Sequence, residues 1–365
     1  MSVASETRLA PVDLNTAVKR IVIGGDARGK DSTDTIVERA KRHEIKLIDR
    51  VCDDENHDSV NQKFRYEKQT LKLGFNRGSF IKPWASDPHQ IGRDEWCLTP
   101  VEGCPLDCNY CYLQDYLDQP LVTVFVNSDA MAEQIECFRQ DPPEEPPHFF
   151  SLGELSDGLF LEPLLGHVES IWETFRGRDQ AFLEVRSKSH HIHGLLDRIS
   201  PQQQAVFSWS LSPETMAQRD EMLTSSLDQR LTALKVTMEY GFQTGIRIDP
   251  ILLREGWEKA YRNLVNEIFS VIPPSPLSFV ILGTFRFPRG FDETMRKRFS
   301  NRSFLRDEFL EGPDGTFRYA RERRTTVFRK FSEWLAPHGI QPDLCMEPRY
   351  VWEDAGIPIQ PGQHA

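Results

Sequence analysis

The stretch Glu102-Gly-Cys-Pro-Leu-Asp-Cys-Asn-Tyr-Cys-Tyr-Leu-Gln114 puts Cys104, Cys108 and Cys111 within eight residues, spaced C-x3-C-x2-C. Thiolates this close can take three corners of one cubane. A [4Fe–4S] site is normally held by four cysteines, so three ligands leave one iron open to a small molecule. Zinc sites usually need four ligands, often as two C-x2-C pairs, and no second pair follows. Cys52, Cys97, Cys137 and Cys345 are scattered. Cys97, seven residues upstream of Cys104, is the candidate for a fourth ligand. A disulfide framework is not expected in a chain this long without a secretory segment.

The chain has 365 residues, 39% of them hydrophobic, and a net charge of −11. That length suits one large domain, alone or with a small appendage. No apolar run reaches the ~18 residues of a membrane span, and the N-terminus lacks the apolar core of a signal peptide. A reducing cytoplasm is the expected location. The acidic balance argues against a nonspecific nucleic-acid binder. Between Arg286 and Lys330, however, thirteen Lys/Arg stand against seven Asp/Glu. Such a segment is either a surface for an anionic partner or a helical face laced with salt bridges.

Outward from the cysteines, strand and helix patterns alternate. Upstream, residues 1–18 read as a loose tail, 20–24 as a strand, 32–43 as a helix and 45–51 as a strand. Residues 53–62 read as a polar loop and 70–75 as a strand. Gly24-x4-Gly29-Lys30 is superficially like a phosphate loop, but the magnesium-ligating Ser/Thr position is Asp31. Downstream, strands are expected at 121–126, 149–152, 181–187, 205–211, 244–251 and 278–283. Helices are expected at 130–138, 161–175, 190–199, 227–240 and 257–272, with a rigid turn at 141–147. Six strands in this alternation predict an α/β fold with a parallel sheet, an open (β/α)6 partial barrel. Its ligands should gather at the C-terminal ends of the strands. The expected division is an N-terminal tail and small α/β appendage (1–80), a barrel with the cluster loop (81–285) and a basic C-terminal segment (286–365).

The cysteine spacing, with Tyr110 just before the third cysteine, resembles that of radical S-adenosylmethionine (SAM) enzymes. The resemblance implies a [4Fe–4S] cluster whose open iron chelates the SAM amine and carboxylate. It also implies one-electron cleavage to a 5′-deoxyadenosyl radical, with the electron from a donor such as flavodoxin or ferredoxin. From about Lys68 to Phe331 the chain further resembles the spore photoproduct lyase family, carbon–carbon bond lyases that reverse a UV-induced thymine dimer in DNA. The matching runs are Gly103–Gln114, Val124-Phe-Val-Asn-Ser-Asp129, Ser156-Asp157, Ser187-Lys188, Phe207-Ser208 and Glu255-Gly-Trp-Glu-x-x-Tyr-Arg262. By this likeness Tyr110, Ser156, Asp157, Lys188 and Ser208 contact SAM, and Lys188 takes its carboxylate. Tyr112 lies beside the radical path. Arg286, just beyond the last barrel strand, matches a basic position that can meet a phosphate of nucleic acid. The bland readings are a packed aromatic, caps and turns, a loop lysine and a salt bridge. His190, His191 and His193 do not share one helix face and are expected to form a surface cluster at a helix start.

One position departs from the family. Its lyases carry a hydrogen-donating cysteine just upstream of the Ser-Asp pair, where this chain has Glu154. A carboxyl O–H bond is too strong to give its hydrogen readily to a carbon radical. Three readings therefore stand. The first is a lyase-like radical SAM enzyme acting on a nucleic-acid base, such as a UV lesion. The second is a radical SAM enzyme for a small molecule or peptide, with Glu154 ligating, orienting or deprotonating it. The third is a redox or structural iron–sulfur protein that uses no SAM.

Overall fold

Along Ala181–Ser187, burial alternates strictly: Ala181, Leu183, Val185 and Ser187 are buried, while Phe182, Glu184 and Arg186 are half-buried. Successive strand residues point to opposite faces, so one face of this strand packs on helices and the other carries charge into a lumen. The computed structural model describes residues 13–51, 59–84, 90–91, 95–117, 119–140, 147–178, 180–274, 277–299 and 303–359. Within them, β1 (Glu95–Leu98), β2 (His148–Leu152), β3 (Ala181–Ser187), β4 (Ala205–Ser210), β5 (Gln243–Ile251), β6 (Leu277–Thr284) and β7 (Asp343–Leu344) run in sequential parallel order. Ile81–Pro83 adds an antiparallel strand beside β1. The curled sheet is a half-barrel.

Helices cover its outer face. Ser128–Gln140 follows the cysteine loop, Leu227–Glu239 joins β4 to β5, and Trp257–Val271 joins β5 to β6. Ser226 and Gln229 form a reciprocal capping box at the start of Leu227–Glu239, which satisfies orphan amide donors there. On this side Trp172 stacks on Phe207 of β4 with ring centres 4.9 Å apart. Burying side chains of this size contributes about 1.5–3 kcal/mol each.

A second sheet has the order Lys46–Ile48, Arg20–Ile23, Thr70–Gly74, Val122–Phe125, Val101–Glu102. Its first four strands are parallel. This corrects the strand expected at 121–126: it pairs with Thr70–Gly74 in the N-terminal sheet and does not open the barrel. The six parallel strands expected of the barrel are still present, because Glu95–Leu98 takes the first place, and Asp343–Leu344 adds a seventh. That four-residue strand carries no alternation long enough to read. The N-terminal sheet thus draws strands from both sides of residue 80.

Two helical readings also change. The helix expected over 161–175 is broken at Gly166, which is left-handed (φ 69°), into Glu162–Leu165 and His167–Trp172. The segment 191–198 is a series of turns rather than a helix, with Gly194 at φ 77°. Residues 13–18 are no tail, since Leu14, Ala17 and Val18 are fully buried. Val60–Lys68 is a helix capped by Ser59 where part of a loop was expected. Residues 1–12, 53–58 and 141–146 of the expected tail, loop and turn lie outside the described residues. Among the described residues, no helix is long and apolar enough to cross a membrane.

Candidate active site at the barrel mouth

The cysteine loop leaves β1 and crosses the C-terminal ends of the strands. Gly103 N donates to Leu155 O at 2.9 Å, and Asn109 N to Asp220 O at 3.0 Å. Lys68 Nζ donates to the Cys104 carbonyl at 3.2 Å, and Gln114 Nε2 to that of Cys108 at 2.7 Å. The three cysteines line a cavity of about 430 Å³ with Tyr110, Tyr112, Gly153, Glu154, Ser156, Asp157, Lys188 and Ser210. Cys97 does not line it. Burial pushes the Cys104 thiol up to about 12, and raises Cys108 and Cys111 as well. Thiols in such a place become thiolates when a metal takes them.

Among the described residues, no three His, Cys, Asp or Glu side chains converge on a single ion. A cubane asks for no such convergence, because each thiolate binds a different iron. Three thiols around one cavity match three corners of a cubane, whereas a zinc site usually takes four ligands. The same cavity holds an orphan: the buried Ser156 Oγ has no hydrogen-bond partner, a costly state unless a ligand meets it. The Lys188 ammonium stands 6.0 Å from the Tyr110 ring centre in this cavity. A hydroxyl without a partner and a cation are suitable for the polar end of an amino-acid-like ligand such as SAM.

Gly153 shapes the wall. Its φ is +127°, and an added Cβ would lie 2.5 Å from the Arg186 carbonyl oxygen. Only glycine tolerates both the dihedral and the approach. Gly153→Ala should strain the end of β2 by roughly 1–3 kcal/mol. The expected result is weaker SAM binding by calorimetry with a smaller loss of thermal stability; unchanged affinity would show that the wall is not part of the ligand site.

Tyr112 donates its hydroxyl to the Glu154 carbonyl at 2.7 Å, and its ring meets Trp84 and Tyr116 edge-on. Burial, then the Glu154 charge, holds the Tyr112 phenol well above its ordinary range, so its O–H stays intact at neutral pH. Tyr110 donates to Glu221, which also binds Arg230. The Glu154 carboxylate is ion-paired with Arg186 and accepts from Ser151 Oγ at 3.2 Å.

Three sequence-predicted residues stand differently from their expectation. Asp157 has its carboxylate filled from the protein: it accepts from the amides of Leu159 (3.1 Å), Phe160 (2.8 Å) and Lys188 (2.7 Å), and from Ser187 Oγ (2.7 Å). It clamps the ends of β2 and β3 together. Ser208 is fully buried, donates to Glu184 and does not line the cavity. Ser210, two residues along the same face of β4, lines it instead. Arg286 is no free cation: both its Nη atoms reach the Asp249 carboxylate at 3.1 Å, and Nη2 lies 3.3 Å from Cys345 Sγ. Gly283 makes room for this pair, since a Cβ there would meet the Asp249 carboxylate at 2.4 Å.

The wider basic segment follows the same rule. Arg289, Arg296, Arg298, Arg318, Arg321, Arg323, Arg324 and Lys330 are ion-paired as well. The salt-bridge reading of 286–330 holds for most of its charge. The histidines are corrected too. His190 and His191 are buried, not on the surface. His190 Nδ1 meets Ser225 Oγ at 2.7 Å, and His191 Nδ1 meets the Phe160 carbonyl at 2.8 Å. Burial holds His191 down at about 4.

The sequence reading did not single out the lumen below. Glu95, Glu184, Arg186, Arg247, Arg286 and Cys345 line a second cavity of about 290 Å³. Glu154, Arg186, Arg247 and Arg286 border both cavities. Burial works against the Glu184 carboxylate, but Arg247 and Arg186 outweigh it and hold its pKa low. The alternation of Glu184 and Arg186 in β3, and of Arg247 and Asp249 in β5, was the available signal. Charges at every second strand position mark a polar inner face.

A parallel half-barrel with a three-cysteine loop after its first strand, and a polar cavity under that loop, defines a radical SAM-type fold. The chain belongs to the spore photoproduct lyase family, whose sequence profile matches residues 31–310. It is 28% identical over 215 residues to the spore photoproduct lyase of Bacillus subtilis, covering 58% of this chain and 60% of that protein. It is 26% identical over 250 residues to that of a Geobacillus species, covering 67% and 71%. The fold superimposes on a solved spore photoproduct lyase complexed with dinucleoside spore photoproduct at a TM-score of 0.76, with 21% identity, 90% of this chain and 98% of that chain covered. A second such structure, with bound AdoMet and the same dinucleoside, gives 0.74 at 20% identity with the same coverage.

Proposed function

We propose that this protein is a radical SAM enzyme whose substrate is a nucleic-acid base lesion. The observation that carries the reading is the shared cavity: three cysteines, the orphan Ser156 hydroxyl, Lys188 and the Tyr112–Glu154 contact all meet at one barrel mouth. When bound, the cluster and SAM supply an electron and a 5′-deoxyadenosyl radical. Cys104, Cys108 and Cys111 hold the cluster. Lys188 takes the SAM carboxylate as a point charge, Ser156 and Ser210 offer hydroxyls to it, and Tyr110 packs beside it. Asp157 acts through Lys188, whose backbone it fixes. Tyr112 keeps its O–H as a hydrogen carrier next to the reacting centre. The half-barrel excludes water and orients the substrate.

A base inside a duplex must first be flipped out or exposed. With most of 286–330 ion-paired, electrostatic capture of DNA should be modest, and its salt dependence shallow. We assign as three units the N-terminal sheet, which takes in Val101–Glu102 and Val122–Phe125, the half-barrel, which takes in Asp343–Leu344, and the rest of the segment beyond Arg286, with the cytoplasm as the location and a flavodoxin or ferredoxin as electron donor. The second reading, a small molecule or peptide substrate, is favoured by one feature: the Glu154–Arg186 pair that stands where the family's lyases have a thiol. The test is mass spectrometry of reactions containing SAM deuterated at its 5′ carbon and the dinucleoside spore photoproduct. Deuterium exchanged between SAM and thymine supports lesion chemistry. SAM cleavage that leaves the dinucleoside unconsumed supports the second reading, and no reductive cleavage at all would leave an iron–sulfur protein without SAM chemistry.

A further inference from the structure

The cysteine loop has two faces. One lines the cavity; the other is roofed by the helices Val60–Lys68 and Phe291–Arg298. Lys68 and Gln114 hold the Cys104 and Cys108 carbonyls from this second face, and Arg298 contacts Gln114. The Arg298 guanidinium sits 3.3 Å from the Phe64 ring centre, and Asn61 Nδ2 donates to the Arg298 carbonyl at 2.6 Å. None of Phe64, Lys68, Gln114 or Arg298 lines the cavity. Lys68 and Gln114, both buried, thus tie the ligand-bearing backbone to the two roofing helices on a side that a substrate in the cavity does not reach.

That surface is basic in an acidic protein. Lys63, 3.8 Å from Glu67, and Arg296, 3.5 Å from Asp292, are ion-paired with half-exposed side chains, and Arg65 and Lys297 are exposed and supply the rest of the charge. Arg296, Lys297 and Arg298 form the last turn of their helix, while its acids, Asp292 and Glu293, lie in the first turn. The cations thus gather at the end that touches Val60–Lys68. The half-buried Phe64, one ring face covered by Arg298, lies among them and adds a small apolar element to a charged face.

We infer that this face docks a small acidic one-electron carrier of the flavodoxin or ferredoxin type. The inference rests on the cluster proposed above and locates where its electron enters. One electron leaves the carrier's reduced cofactor and lowers the cluster charge from 2+ to 1+; no bond forms or breaks. Complementary charge raises the encounter rate of such partners by about 10-fold or more at low salt. Nucleic acid suits this face less well, because a backbone held here would lie across the loop from the cavity.

The test is the triple variant Lys63→Glu, Arg65→Glu, Lys297→Glu, with equal iron content as the check on folding. Flavodoxin is the probe. Calorimetry of oxidised flavodoxin, on protein before and after cluster reconstitution, should show affinity weakened about 10-fold or more, with its salt dependence flattened. 5′-Deoxyadenosine formation driven by reduced flavodoxin should fall about as much, while formation driven by dithionite stays at the wild-type rate. Flavodoxin binding and flavodoxin-driven turnover equal to wild type would overturn the inference. So would a variant that loses duplex DNA binding yet keeps flavodoxin binding, since the face would then serve nucleic acid. Wild-type protein that cleaves no SAM even with dithionite would sink the radical SAM proposal instead, and flavodoxin binding before reconstitution still decides whether the face docks the carrier.

Discussion

Alanine at any one of Cys104, Cys108 and Cys111 should abolish both the cluster and reductive SAM cleavage. Reconstituted wild type should hold about four irons per chain, the content of one cubane. Each of the three thiols lines the same cavity, and among the described residues no fourth cysteine does. Cys97 is the internal control. It is buried on β1 beside Glu95 and Glu154, and burial raises its thiol far above the ordinary range. Cys97→Ala should keep its iron and its SAM cleavage, with only the stability cost of a small core deletion. Iron content and 5′-deoxyadenosine yield are the measurements. Equal iron loss in the Cys97 variant would mean a closed four-cysteine site and would end the radical SAM reading.

The barrel was legible because its long strands obey simple rules. Ala181–Ser187 and Gln243–Ile251 read as strands, and between them Leu227–Glu239 starts at a capping box of Ser226 and Gln229. What was not legible depended on partners distant in sequence. Nothing local says that Val122–Phe125 pairs with Thr70–Gly74 rather than with His148–Leu152; the choice is made by tertiary packing. Glu95–Leu98 is too short to show a period. The cysteine loop was readable because metal chemistry constrains spacing within one segment. Ser208 and Ser210 show the opposite case. Both lie on the inner face of β4, and only the position of Glu184 decides that the first is consumed by an internal hydrogen bond. Arg286 likewise reads as a phosphate ligand until Asp249, 37 residues away, is seen to claim it.

The position that separates this chain from the family's lyases is Glu154, and it carries the second large expectation. The wild type should repair the thymine dimer poorly, stalling at a product radical or giving adducts, because no thiol stands at this point of the cavity. The carboxylate is paired with Arg186, so removing it has a structural cost. Breaking a buried pair from one side costs about 3–5 kcal/mol when the remaining charge is stranded. Arg186 is not stranded: Glu184 lies 3.5 Å and Glu95 3.9 Å from its Nη2. Glu154→Cys should therefore fold with less than that loss, and it places an S–H beside the Tyr112 hydroxyl that already touches the Glu154 backbone. Clean repair, measured as thymine released per lesion consumed, should rise in the variant by about 10-fold or more if its proton-bearing thiol intercepts the product radical, as suits a group acting only at that step. Efficient clean repair by the wild type would refute the argument and point to another donor. Cys345 would be the first to replace: it borders the lumen beside Arg286, and burial pushes its thiol up to about 12, so it keeps its hydrogen at neutral pH. If neither wild type nor Glu154→Cys acts on any dimer while both cleave SAM, the Glu154–Arg186 pair is a recognition element for a different substrate, and the lumen beneath it is the place to look for that molecule's shape.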